Sequence, residues 1–113
     1  REDIPKILGC ADIMISFIKP FYSKLASSPT KYAESIAMGI PVISNKGIGD
    51  IDELTKYLEA GKIIDLNLIN NFNEKDLNNI LNINSLELRN RSESSLSLEF
   101  ASQQYKCVYK EIM

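Results

Sequence analysis

The sequence predicts an α/β protein, a parallel sheet followed by a helical C-terminal part. Three observations carry this expectation. Helix-like and strand-like patterns alternate from residue 3 to residue 66 with short connections between them. The strand-like stretches are apolar at nearly every position, as strands covered on both faces are. Beyond Leu66 the strand pattern stops and three helical patterns follow.

Ile4, Ile7, Leu8 and Ala11 recur at helical spacing, so residues 3–10 read as a short helix. "DIMISFI", residues 12–18, reads as the first strand. Residues 19–28 form a polar loop containing Pro20. A helix is expected from about Pro29 to Met38, because proline fits a first helical position and Ser28 can cap the free amides. Gly39 suits the left-handed residue that ends it, and Pro41 prevents its continuation.

"PVIS", 41–44, is the second strand and "NKGIGD", 45–50, a glycine-bearing turn. Asp50 with Glu53 resembles a capping box at the start of the next helix, whose inner face carries Ile51, Leu54 and Leu58. Gly61 is expected to end that helix, and "KIIDL", 62–66, is the third strand. Such alternation implies parallel strands joined by right-handed crossovers. Helices are then expected over 74–81, 85–96 and 98–112, with Ala101, Tyr105, Val108 and Ile112 as one stripe of the last. Residues 1–66 thus form a partial sheet unit, and residues 67–113 the helical part of the same domain.

The chain has 113 residues, of which 44% are hydrophobic and 25% charged, ordinary values for a globular domain able to bury about two-thirds of its unfolded surface. A net charge of −2 argues against a nucleic-acid partner, so anion binding requires a local site. No apolar run approaches the roughly 20 residues of a membrane span, and no secretory signal is visible. Cys10 and Cys107 are far apart and the chain has no His, so they read as reduced, buried thiols of a cytoplasmic protein and not as zinc ligands. The chain begins at Arg1 and opens directly into a helical pattern, which suggests a piece of a longer protein.

The candidate site lies in "SSPTKYAE", residues 27–34. Open parallel sheets bind ligands beyond the carboxyl ends of their strands, where the loop 19–28 and the turn 45–50 fall. A helix start offers unpaired amides and about half a positive charge, so a cation there is unfavourable by about 0.3–1 kcal/mol unless an anion is present. Lys31 is such a cation. With a phosphate bound, the amides of Thr30 and Lys31, the hydroxyls of Ser28 and Thr30, and the Lys31 ammonium would converge on it. Glu34, three residues on, is placed to accept bonds from ribose hydroxyls. The competing reading is a solvated ion pair between Lys31 and Glu34.

"SPTKYAESIAMGIPVIS", preceded by "ILGCADIMISFI" and followed by "NKGIGDIDEL", resembles the Rossmann-like C-terminal nucleotide-sugar domain of retaining GT-B glycosyltransferases, in particular glycosyltransferase family 4. "LEFASQQYKCVYKEI" is similar to that family's closing helix. The resemblance implies that Glu34 holds the nucleotide ribose and that Thr30 and Lys31 contact the diphosphate. It also implies Gly47, Ile48 and Gly49 as backbone contacts near the donor, for which a plain tight turn is the equal alternative. The family has an acidic residue eight positions before the glutamate, where this chain has Ala26, which puts the donor-sugar contact in doubt.

By the same resemblance, further strands, an upstream Arg and Lys, and an N-terminal acceptor domain lie outside this chain. The fragment alone is then not expected to catalyse transfer. The whole enzyme would move a sugar from a nucleoside-diphosphate donor to a glycan or lipid-linked acceptor with retention, without metal or other cofactor. It would act in polysaccharide or glycolipid assembly, in the cytoplasm or at the inner face of the membrane. The alternatives are a nucleotide-sugar epimerase of the same fold and a non-catalytic regulatory or scaffold domain. "DID", 50–52, imitates a metal-binding Asp-x-Asp motif but reads as a helix cap. Removal of neighbouring strands would leave an unpaired sheet edge open to self-association.

Overall fold

The structure is a computed structural model, and it describes residues 2–19, 21–24 and 30–112. Three parallel strands, β1 (Met14–Ser16), β2 (Val42–Asn45) and β3 (Gly61–Ile64), form one sheet in the order β1-β2-β3. Met14 lies beside Val42 and Ser16 beside Ser44, while Val42 to Asn45 run beside Gly61 to Ile64. Helix α1 (Ile4–Leu8) precedes the sheet; α2 (Thr30–Ala37) and α3 (Ile51–Leu58) connect its strands. The helices α4 (Glu74–Leu81), α5 (Ser85–Leu96) and α6 (Leu98–Ile112) follow. The α/β class and the helical C-terminal part are therefore as expected from the sequence.

The alternation of side chains along β2 explains its unbroken apolar pattern. Val42 enters a cluster with Tyr32, Ile36, Ile51, Leu58 and Leu88, which belong to α2, α3 and α5. Ile43 points the other way and joins Ile64 and Ile80, the last from α4. Helices thus cover β2 on both faces, which a parallel sheet requires. Strand β1 is less well covered: it pairs with β2 only, and Ile15 and Phe17 are exposed.

Several boundaries differ from expectation for local reasons. Strand β1 spans three residues because the backbone of Ile18 bonds the Asn45 side chain and not a neighbouring strand. Gly39 takes the left-handed conformation (φ +77°), but Glu59, not Gly61, does so after α3 (φ 51°). Gly61 opens β3. Asp50 makes no side-chain cap on α3; the capping box of the described chain is at α4, where Asn73 and Asp76 bond each other's backbone amides. Asp76 also accepts a 2.7 Å bond from Lys62 of β3, and this ammonium, then the Asn73 amide, holds its carboxyl below the usual carboxylate range. Both cysteines are exposed free thiols, contrary to the buried pair expected: Cys10 lies in the turn after α1, and Cys107 on α6, which buries no residue. Tyr105 and Tyr109 are likewise exposed.

Tyr32 is the largest side chain of the core, and its hydroxyl shares a 2.7 Å hydrogen bond with Thr55 of α3. Burial pushes the phenol up to about 12, with a smaller upward push from Asp50 and an opposing effect of the Thr55 bond. The folded chain therefore holds this proton more tightly than the unfolded chain, whose tyrosine titrates near 10. The resulting stability is fully present below pH ~10 and is lost as pH rises toward 12, a change of about 2–3 kcal/mol. Tyr32→Phe leaves the Thr55 hydroxyl unpaired and is expected to cost about 1 kcal/mol at pH 7. The gap in denaturation midpoint between wild type and Tyr32→Phe should close above pH 10. A constant gap from pH 8 to 12 would show that the phenol is not buried in this way.

Candidate functional site

The carboxyl ends of the strands carry the loops of interest, and two contacts fix them. Asn45, the last residue of β2, is buried. Its Nδ2 donates to the Ile18 carbonyl and its Oδ1 accepts the Ile18 amide, both at 2.7 Å. The side-chain amide thus adds one rung beyond the β1–β2 ladder. Further along, Tyr22–Lys24 form a short 3-10 turn, and the Lys24 carbonyl accepts the Gly49 amide at 2.9 Å. The loop leaving β1 is in this way tied to the turn leaving β2.

Ser28, expected as the cap of α2, lies outside the described residues, as do Pro29 and Ala26. From Thr30 onward the helix is oriented by its inner face: Tyr32, Ser35 and Ile36 are buried. Ser35 Oγ donates to the Lys31 carbonyl at 2.8 Å and contacts the Met14 sulfur. This turns Thr30, Lys31 and Glu34 outward, and all three are exposed. Lys31 and Glu34 do not pair with each other; the ion pairs among the described residues are Lys6–Asp3, Lys62–Asp76 and Arg91–Glu87. The solvated i, i+3 pair is therefore not formed.

Glu34 borders a cavity of about 530 Å³ whose other walls are Ile4, Pro5 and Leu8 of α1, Ala37 and Met38, and Arg89 of α5. The cavity runs beside the second half of α2, so Glu34 is its point nearest the helix start. A second cavity, about 440 Å³, is lined by Asn45, Lys46, Asp65, Leu66 and Asn67. It lies past the carboxyl ends of β2 and β3, the position at which open α/β sheets bind ligands. Of the two, the second has the better position relative to the sheet, and the first has the better-placed carboxylate.

The turn 47–49 is largely occupied with its own structure. Gly47 and Gly49 have positive φ (92° and 48°), which glycine adopts without strain. The Gly47 amide is 3.4 Å from Asp52 Oδ2, the Gly49 amide bonds Lys24, and the Ile48 carbonyl accepts the Ile51 amide at 3.1 Å. The Ile48 side chain is in the core. Asp52 of the "DID" sequence thus supports this turn, and Asp50 supplies no cap. Among the described residues no three His, Cys, Asp or Glu side chains are grouped to hold a metal, and no helix is long and apolar enough to cross a membrane.

The sequence reading did not single out Asn45 or Arg89. Asn45 carried a signal: a polar residue ending an apolar strand needs a buried partner. Arg89 carried none, because its place beside α2 follows from the docking of α5. Comparison with protein families, curated proteins and solved structures finds no match to this chain.

Proposed function

We propose that this chain is the nucleotide-binding part of a retaining glycosyltransferase of GT-B architecture, similar to glycosyltransferase family 4. The observation that carries the reading is the outward face of α2. Thr30 and Lys31 stand exposed at its start, Glu34 follows one turn on at a cavity, and Lys31 and Glu34 leave each other unpaired. A cation beside a helix start is unfavourable alone and favourable once a diphosphate is present. The resemblance of "SPTKYAESIAMGIPVIS" to the family supplies the substrate class.

In this reading the helix-start amides and Lys31 stabilise the charge that grows on the departing diphosphate, while Glu34 fixes the ribose. The donor is a nucleoside-diphosphate sugar. The acceptor, a glycan or lipid-linked sugar, is held by a domain outside this chain, and this part binds nucleotide without completing transfer.

Calorimetric titration with UDP, GDP, ADP and inorganic pyrophosphate tests the assignment. Glu34→Ala should weaken the preferred nucleoside diphosphate by about 10- to 100-fold, the loss of charge-assisted bonds to two hydroxyls. It should leave pyrophosphate unchanged. Lys31→Ala should weaken both. Equal affinities for wild type and Glu34→Ala, or no binding of any nucleotide, would overturn the reading.

A further inference from the structure

The cavity beside α2 has apolar walls from α1 and from Ala37 and Met38, and two charged side chains border it, Glu34 of α2 and Arg89 of α5. The two do not pair with each other, and Arg89 forms no ion pair among the described residues. Its place is set by its neighbour: Leu88 is wholly buried in one cluster with Tyr32 and Ile36, which docks α5 on α2 with Arg89 at the cavity. The site therefore accepts hydrogen bonds at one point, donates them at another, and offers apolar surface besides. Its volume of about 530 Å³ lies within the range of small-molecule sites. Along α2, Lys31, Glu34 and Met38 follow at steps of three and four, which places them on one face in that order. Met38 still belongs to the last turn, its amide bonding the Glu34 carbonyl at 3.2 Å.

We infer that this cavity takes the nucleobase, and that Arg89 selects bases presenting a carbonyl group, uracil and guanine, over cytosine and adenine. The inference rests on the nucleotide reading of α2 and adds the base to it. The ribose sets the order. Its two ring hydroxyls sit on adjacent carbons, flanked on one side by the carbon bearing the base and on the other by the carbon leading to the diphosphate. With the diphosphate at Lys31 and the hydroxyls at Glu34, the base falls beyond Glu34, toward Ala37 and Met38. There the apolar walls cover the ring, and the Met38 sulfur is a favourable contact for an aromatic system. The Arg89 guanidinium donates and never accepts. A carbonyl oxygen of uracil or guanine accepts from it, whereas cytosine and adenine carry a donating amino group at the corresponding position. A site that only donates rejects such a base, because two donors are left facing each other.

Calorimetric titration of the whole chain with UDP, CDP, GDP and ADP tests this. UDP should bind about 10-fold more tightly than CDP, and GDP than ADP, the difference made by one charge-assisted hydrogen bond. Arg89→Ala should bring both ratios close to one. Ala37→Phe, which fills the cavity, should weaken all four by about 10-fold and leave inorganic pyrophosphate unchanged. Both positions are exposed, so the variants should keep the fold by circular dichroism. Ratios near one in the wild type overturn the inference. So does a uniform loss for all four in Arg89→Ala, since Arg89 would then act only through its charge. A persisting loss of nucleotide affinity in Glu34→Ala then shows that the ribose assignment stands and the base site alone has failed. If no nucleotide binds at all, the nucleotide reading falls and the base site falls with it.

Discussion

Gly61→Ala is expected to unfold this protein. Gly61 opens β3 beside Val42 with φ +150°, and a methyl group on its Cα would stand 1.8 Å from the Val42 carbonyl oxygen and 2.8 Å from the Val42 nitrogen. Those atoms are backbone, fixed by the sheet: the Val42 amide donates to the Ala60 carbonyl at 2.8 Å, and Val42 itself is wholly buried. No rotamer change relieves the clash, so β2 and β3 would have to part at their first pair. The expected loss is more than about 4 kcal/mol, a large share of the 5–15 kcal/mol that holds a domain of this size. Gly9→Ala is the matched control. Gly9 has a helical φ of −61°, and a methyl there meets the Pro5 carbonyl at 3.2 Å, so its effect should fall within about 1 kcal/mol. Urea titrations followed by circular dichroism would compare the two. Similar midpoints would mean that β2 and β3 do not pair in this register.

Periodicity reports what one segment does with its own faces, and that is why the alternation of helix and strand was legible. Val42 and Ile43 are both apolar because helices cover both sides of β2, and Gly39 sits where α2 must turn left-handed. Partners distant in sequence left no such mark. The Tyr32–Thr55 bond joins residues 23 apart, and the Asn45–Ile18 pair spans 27. The capping box at α4 escaped notice because Asn73 and Asp76 replace the usual Ser or Thr and Glu. The separation of the two cysteines and the lack of His say nothing of burial, which is decided by where the turn after α1 and the open helix α6 place them.

The site divides along the same line. The outward placement of Thr30, Lys31 and Glu34 follows from an inner face of Tyr32, Ser35 and Ile36, which helical spacing encodes. What Glu34 meets there does not. The cavity beside it exists because α1 and α5 flank α2, and no local pattern records that docking. The turn 47–49 shows the converse. Its glycines were legible as a turn, but whether its amides were available could be decided only once Lys24 and Asp52 were placed beside it.

Asn45→Asp should be the most damaging change at the carboxyl ends of the strands, although it alters no volume. The side-chain amide now serves Ile18 twice, donating to its carbonyl and accepting its amide. An ionised carboxylate keeps the second bond and turns the first into a contact between two acceptors, in a site where Asn45 is 1% exposed. An uncompensated buried charge of this kind costs about 3–5 kcal/mol. Protonation restores a donor, so the introduced carboxyl has a folded pKa raised above its unfolded value near 3.9. Its folded form is therefore favoured below about pH 4 and disfavoured as pH rises through the folded pKa. The variant should be far less stable than wild type at pH 7, and the difference between the two should shrink on acidification. Asn45→Ala loses both bonds, costs about 1–3 kcal/mol, and should keep a pH-independent difference from wild type. Ile18 lies two residues past the end of β1, so losing these bonds frees the start of the loop that follows. Amide exchange at Ile18 should rise in both variants. If Asn45→Asp matches wild type at pH 7, or if its deficit is the same at pH 4, the side-chain rung between β2 and the loop after β1 is not made.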